Sequence, residues 1–218
     1  MVERTIPLSR WLSWSRSLEI YLPNSAARLP PDLRYQQGGW LFLCTLLVFF
    51  LTSLLLYGIY AESRQDDPQT AVELPASFLT STVCLIGISV VLHLATRTVR
   101  RSKRGVTVVL LSIAALAAVV FIMIQYRSML ELLAGPALGG GTGKGVAGMV
   151  VVLAFLHALH VAGGILALGI VGVRTALGRY DHERHWPVDF TALYWHFLDL
   201  VWVCMLITFY LTTGGIAI

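Results

Sequence analysis

Five stretches of the chain are almost continuously apolar, and each predicts a helix that crosses a membrane. They cover about residues 39–60, 75–95, 106–125, 146–172 and 189–211. A helix needs about 20 apolar residues to cross the roughly 30 Å hydrocarbon core of a bilayer, and each stretch is long enough. The pattern predicts an all-α membrane protein, with residues 1–38 as an N-terminal segment and residues 39–218 as a five-transmembrane-helix bundle.

The basic residues between these stretches predict the orientation of the bundle. Segment 1–38 and the connections 96–105 and 173–188 together hold thirteen Lys and Arg residues, whereas the connections 61–74 and 126–145 hold three. Positive residues accumulate on the cytoplasmic side of membrane proteins. The N-terminus is therefore predicted to be cytoplasmic and the C-terminus to lie outside.

Composition supports the membrane interpretation. Hydrophobic residues make up 56% of the chain and charged residues only 13%, although the net charge is +4. Basic residues beside membrane helices attract anionic phospholipids, so the charge indicates a membrane partner and no nucleic acid. In segment 1–38, Trp11, Trp14, Leu18 and Tyr21 recur at helical spacing, which is typical of an interfacial helix or of a tail that packs on a partner.

A few ionisable residues interrupt the apolar stretches: His93, His157, His160, His196 and Asp199. Such groups are costly in lipid, so they normally face the bundle interior, pair with one another or serve function. With a rise of about 1.5 Å per residue, Asp199 and His160 fall at the same level near the middle of the bilayer. His93 falls near the cytoplasmic end of the second stretch.

These polar residues leave several kinds of site open. Two histidines on different helices can hold haem, but the best depth match here pairs a histidine with an aspartate. His-x-x-His with a carboxylate opposite can bind zinc or iron, yet no second acid completes the ligand set. A structural network, in which Asp199 accepts a hydrogen bond from His160 or His196, satisfies each group by another. A proton relay is a further alternative, for which a single carboxylate makes no complete path.

Two of the apolar stretches carry a family signature. Residues 194–202 read YWHFLDLVW and residues 152–168 read VLAFLHALHVAGGILAL, and both resemble cytochrome c oxidase subunit III of the haem–copper oxidases. Residues 34–50, RYQQGGWLFLCTLLVFF, resemble the family's W-L-F-L helix. The resemblance covers about residues 34–211 and matches the five-helix type of this family.

The resemblance implies an accessory subunit of a respiratory terminal oxidase in the bacterial cytoplasmic (inner) membrane. Such a subunit packs on catalytic subunit I and on subunit II, which hold the haem and copper, and it supports proton uptake. It has no catalytic, cofactor or metal site of its own. Arg174 and His185 fall where the family contacts phospholipid headgroups. The structural polar network would comprise His157, His160, Tyr194, Trp195, His196, Asp199 and Trp202.

The sequence departs from the family pattern where carboxylates are common. Leu46 replaces an acid in the first stretch, and Ser128 replaces one after Gln125. The alternatives are a subunit-III-like protein of a nitric oxide reductase, or a stand-alone membrane enzyme or transporter that uses the His/Asp cluster.

Overall fold

The described part of the chain is all-helical. The structure is a computed structural model that describes residues 31–64, 74, 76–134, 145–180 and 185–213. The described helices are α1 (Pro31–Glu62), α2 (Ser77–Arg100), α3 (Arg104–Ala134), α4 (Val146–Ala176) and α5 (Trp186–Thr212). The interfacial helix expected around Trp11 to Tyr21 lies outside the described residues.

All five helices are long and apolar enough to cross a membrane. The shortest, α2, has 24 residues, which corresponds to about 36 Å at 1.5 Å per residue and exceeds the hydrocarbon thickness. The predicted five-helix membrane architecture is therefore confirmed.

The helix ends differ from the predicted ones. The helix α3 continues to Ala134, and the predicted connection 96–105 is reduced to residues 101–103. Helices extend beyond the apolar core because backbone hydrogen bonds continue to form there and arginine stems can lie along the helix surface. Gln125, predicted at the end of the third span, consequently lies well inside α3.

A tight turn joins α2 to α3. Ser102 occupies the left-handed region with φ = 57°, and the backbone N–H groups of Arg101 and Lys103 both donate to Thr98 O, at 3.1 Å. The Thr98 and Thr107 hydroxyls lie 2.8 Å apart across the turn. The turn brings four basic residues together at one end of the bundle: Arg100, Arg101, Lys103 and Arg104.

The chain divides into two compact units, Met1–Trp40 and Leu41–Ile218. Within the second unit, α2 packs on α3, α3 on α4, α4 on α5 and α5 on α2, so these four helices form a closed ring. Its interior holds large aromatic side chains that are fully buried: Phe78, Phe121, Trp195, Trp202 and Phe209.

The α1 helix contacts the ring through side chains. Phe50 packs on His160, with 5.0 Å between ring centroids. Near the other end, the Tyr57 hydroxyl lies 2.7 Å from the Thr212 hydroxyl of α5. The outward faces of the helices carry leucine, valine, isoleucine and phenylalanine, as expected for a surface in contact with lipid rather than water.

Candidate functional site

A polar seam runs along the junction of α2 and α5, two helices of opposite chain direction. We define the α2–α5 seam by the side chains Thr82, Ser89, His93, Arg100, Asp189, His196, Asp199 and Trp202. Contacts join Thr82 to Trp202, Ser89 to Asp199 and Arg100 to Asp189. Because residue numbers rise along α2 as those of their partners fall along α5, the seam is a series of polar contacts between two antiparallel helices.

The centre of the seam is a hydrogen-bonded triad. The Ser89 hydroxyl donates to Asp199 Oδ2, and His196 Nδ1 lies 2.8 Å from Ser89 Oγ. Since the hydroxyl has only one hydrogen and gives it to Asp199, His196 donates from Nδ1 to Ser89. The triad thus joins the carboxylate and the imidazole through a residue of the neighbouring helix.

The seam emerges on the bundle surface beside this triad. His93 and His196 are both exposed, and their ring centroids are 6.4 Å apart. Other outward faces of the described helices carry mostly large apolar side chains, with scattered hydroxyl groups such as those of Thr45 and Ser112. Exposed imidazoles about two to three helical turns from the basic end of the bundle mark this face as different from a purely lipid-covered surface.

An ion pair closes the basic end of the seam. Arg100 Nη2 lies 2.9 Å from Asp189 Oδ2, and the two side chains are 61% and 16% exposed. His185 Nε2 lies 3.4 Å from the same oxygen. An arginine this exposed is well solvated, so the pair contributes little to stability.

The predicted donor to Asp199 is His160 or His196, whereas in the structure the donor is Ser89. His160 does not donate to Asp199: His160 Nδ1 donates instead to Leu156 O of its own helix, at 2.7 Å. Depth matching placed the two residues at one level, but Asp199 faces α2 whereas His160 faces Phe50 of α1. The polar link between α4 and α5 is the Tyr194 hydroxyl, which donates to His160 O at 2.9 Å.

His157 lies inside the helix ring. It is fully buried, and its ring centroid is 5.3 Å from that of Trp202. Neither ring nitrogen has a hydrogen-bond partner among the described residues. The predicted grouping of His157 with Trp202 therefore takes the form of ring packing.

The two tryptophans of α5 act differently. Trp202 donates from Nε1 to the Thr82 hydroxyl, at 2.9 Å. Trp195 is fully buried and packs against Gly164 of α4, where an added Cβ would lie 3.1 Å from its ring. Gly164 thus permits the close approach of α4 and α5, in the way that small residues commonly do between membrane helices.

Two residues that contact the neighbouring helices escaped sequence reasoning. Ser89 carries no motif, and only its position opposite Asp199 gives it a role. Arg104 donates from Nε to Thr175 O at 2.8 Å and from Nη2 to Ala176 O, so it caps the C-terminus of α4, where a cation is favourable. The sequence shows only that an arginine begins this helix, and not which helix end lies beside it.

The residues predicted for lipid headgroups lie near the same end of the bundle. Arg174 is exposed, and its Nη1 is 3.3 Å from the Tyr180 hydroxyl, whereas His185 belongs to the Asp189 ion-pair group. At the positions where the family often has acids, Leu46 is buried, and Ser128 donates to the Ser77 hydroxyl of α2 at 2.7 Å.

Metal coordination has no preassembled ligand set in the described part of the chain. No three histidine, cysteine or acidic side chains there are grouped so that they could hold a metal ion. The two histidines of the His-x-x-His pair of α4 pack on aromatic rings: His157 on Trp202 and Phe50, and His160 on Phe50. The fold and the seam define a class: a multi-pass helical membrane protein whose intramembrane polar groups join its own helices.

Comparisons with known proteins specify the family. The family model of cytochrome c oxidase subunit III matches residues 39–213. Cytochrome c oxidase subunit 3 of Synechocystis sp. is 29% identical over 83% of this chain and 76% of its own length. That of Thermostichus vulcanus is 30% identical over 77% of this chain and 86% of its own. Subunit 3 of the cytochrome bo(3) ubiquinol oxidase of Pseudomonas aeruginosa is 24% identical, over 80% and 83%.

The chain belongs to the cytochrome c oxidase subunit III family. The family match begins in α1 and ends at the residue after α5, so it includes the whole α2–α5 seam.

Proposed function

We propose that this chain is the accessory, non-redox subunit of a respiratory haem–copper terminal oxidase. It packs on catalytic subunit I and on subunit II, which hold the haem and copper, stabilises the catalytic subunit and supports its proton uptake, with bound phospholipid. The observation that carries the proposal is the family match over residues 39–213. The seam supports it, since Asp199 and His196 are engaged by Ser89 in joining helices.

The proposal includes an orientation in the bacterial cytoplasmic membrane. The end of α2 is joined to the start of α3 by the tight turn at Ser102, and Arg104 at the start of α3 contacts Thr175 at the end of α4. The start of α5 lies at the same end, because Asp189 pairs with Arg100. Basic residues concentrate at this end, so we place it on the cytoplasmic side. The N-terminus is then cytoplasmic and the C-terminus outside.

Turnover kinetics test the supporting role. The oxidase is prepared with this chain and from a deletion strain without it, and oxygen consumption is followed until it stops. We expect similar initial rates per haem, but earlier inactivation and slower proton uptake in the complex that lacks the chain. Identical lifetimes and proton uptake would contradict the supporting role.

The haem spectrum of the isolated chain tests the stand-alone alternative. We expect no b-type Soret band when the chain is purified by itself. A stoichiometric Soret band, or a catalysed reaction by the lone chain, would favour a membrane enzyme that uses its own His/Asp cluster.

A further inference from the structure

An open groove of about 300 Å³ lies at the basic end of the α2–α5 seam. Polar residues line most of it: His93, Thr96, Arg97, Arg100, Asp189 and His196. The remaining lining side chains are Ala192 and Leu193 of α5. The groove therefore combines a cationic rim with an apolar wall.

The groove has more positive than negative charge. Arg97 and Arg100 face a single carboxylate, Asp189. Arg100 is paired with that carboxylate at 2.9 Å, and His185 approaches the same oxygen at 3.4 Å. Arg97 is exposed, and no hydrogen bond or ion pair joins it to a residue that the structure describes. Its guanidinium group is thus left with five N–H donors for an external anion.

The position of the groove indicates what kind of anion fits. Arg97 lies one helical turn before the end of α2, and His93 lies about 6 Å deeper along the helix, at 1.5 Å per residue. Headgroup phosphates of a bilayer lie at the level of such helix ends, with acyl chains below them. A ligand with a phosphate at the rim and a hydrocarbon chain along Leu193 matches both parts of the groove.

We propose that this groove binds the phosphate of an acidic phospholipid, with Arg97 as the main ligand and His93 as a second donor. The proposal rests on the lipid-binding part of the proposed function and names a headgroup site separate from Arg174. Arg174 lies on α4 and is not among the residues that line this groove. Its Nη1 already lies 3.3 Å from the Tyr180 hydroxyl, whereas Arg97 has no competing partner in the described part of the chain.

Lipid retention by the whole oxidase tests the site. The complex is delipidated, titrated with phosphatidylglycerol or phosphatidylcholine, and examined by native mass spectrometry. We expect one saturable phosphatidylglycerol, for which Arg97→Gln raises the half-saturating concentration by about tenfold or more, since a charge-assisted hydrogen bond to phosphate is lost. Arg97→Lys should retain much of the affinity because the charge remains.

Arg101→Gln is the matched control. Arg101 carries the same charge at the same helix end but does not line the groove, so its loss should leave binding nearly unchanged. Equal weakening by Arg97→Gln and Arg101→Gln would show a diffuse charge effect and overturn the site. Equal retention of the two lipids, or no saturable lipid on the wild-type complex, would overturn it as well.

Inorganic phosphate separates the two possible sources of the anion. Displacement of phosphatidylglycerol by millimolar phosphate would assign the groove to the free ion and contradict the lipid proposal. The catalytic subunit is quantified in the same samples. If the Arg97→Gln complex is intact and binds the lipid as the wild type does, only the groove proposal is refuted. If the wild-type chain binds the lipid but no haem–copper catalytic subunit is found with it, only the proposed function is refuted.

Discussion

Removal of the Ser89 hydroxyl tests the triad at the centre of the seam. Ser89→Ala takes away the donor to Asp199 Oδ2, and Asp199 Oδ1 already lacks a partner among the described residues. Both carboxylate oxygens would then be unpaired in a half-buried position. Leaving a buried acceptor unsatisfied costs about 1–3 kcal/mol, and more when the acceptor is charged, so we expect a loss of about 2–3 kcal/mol.

Replacing Asp199, the other partner of this hydrogen bond, should cost less than replacing Ser89. Interhelical hydrogen bonds in membranes are worth only about 0.6 kcal/mol on average and at most about 1.7. After Asp199→Asn the amide oxygen still accepts from Ser89. After Asp199→Ala the Ser89 hydroxyl can turn to the carbonyl four residues before it, as Ser112 does at 2.9 Å. We therefore expect about 0.5 kcal/mol for the asparagine variant and about 1 for the alanine variant.

The double variant Ser89→Ala/Asp199→Leu separates pairing from packing. Replacing both partners by apolar groups removes the unsatisfied carboxylate, so much of the Ser89→Ala loss should be recovered. Unfolding in detergent micelles, followed by tryptophan fluorescence, gives the free energies. Ser112→Ala is the control, because that hydroxyl bonds only within α3. The reasoning is refuted if Ser89→Ala is no more destabilising than Ser112→Ala, or if the double variant is the least stable.

Three further substitutions probe separate contacts by the same unfolding measurement, to which hydrogen exchange is added for Arg104. Gly164→Ala should cost about 1 kcal/mol because its Cβ would lie 3.1 Å from the Trp195 ring. The control is Gly172→Ala, whose Cβ would lie 4.0 Å from Leu111 and which should be neutral or stabilising. Equal effects of the two substitutions would contradict the close-approach role of Gly164. Arg104→Met should cost about 1 kcal/mol by uncapping α4, and the cap is refuted if hydrogen exchange at the end of α4 does not accelerate. Gln125→Met should stabilise by about 1 kcal/mol, since both amide atoms are buried without a partner among the described residues; a loss of stability would show that this amide is hydrogen bonded in the membrane.

The number of helices and their approximate centres could be predicted from the sequence. Membrane crossing depends on one quantity, the length of an apolar run, which is read directly along the chain. The helix ends could not be placed this way, because the hydrogen-bonded helix continues where the apolar run stops. The α3 helix, for example, extends nine residues past Gln125.

The partners of the polar residues were only partly predictable. The sequence predicts that Asp199 accepts a hydrogen bond from His160 or His196, whereas in the structure the donor is Ser89 of α2. Depth along the membrane normal follows from residue number, whereas the direction of a side chain around its helix depends on which helices are adjacent. The closed order α2–α3–α4–α5 brings Asp199 beside Ser89, and a lone serine in an apolar helix carries no signal of that contact.

The family resemblance came from local spacing rather than from three-dimensional geometry. The YWHFLDLVW stretch places Tyr194, Asp199 and Trp202 on one helix, and the structure connects them to two neighbouring helices. Tyr194 contacts α4 through His160, whereas Asp199 and Trp202 contact α2 through Ser89 and Thr82. Such a signature can be recognised in sequence even where the contacts of its residues cannot be deduced from it.

Co-purification tests the accessory-subunit role most directly. The full chain with an affinity tag is expressed in its own host and isolated in a mild detergent, and its partners are identified by mass spectrometry and by absorption spectra. We predict a stoichiometric haem–copper catalytic subunit with oxygen-reducing activity in the same complex. Isolation of the chain without any haem–copper subunit, or with a nitric oxide reductase instead, would contradict the account.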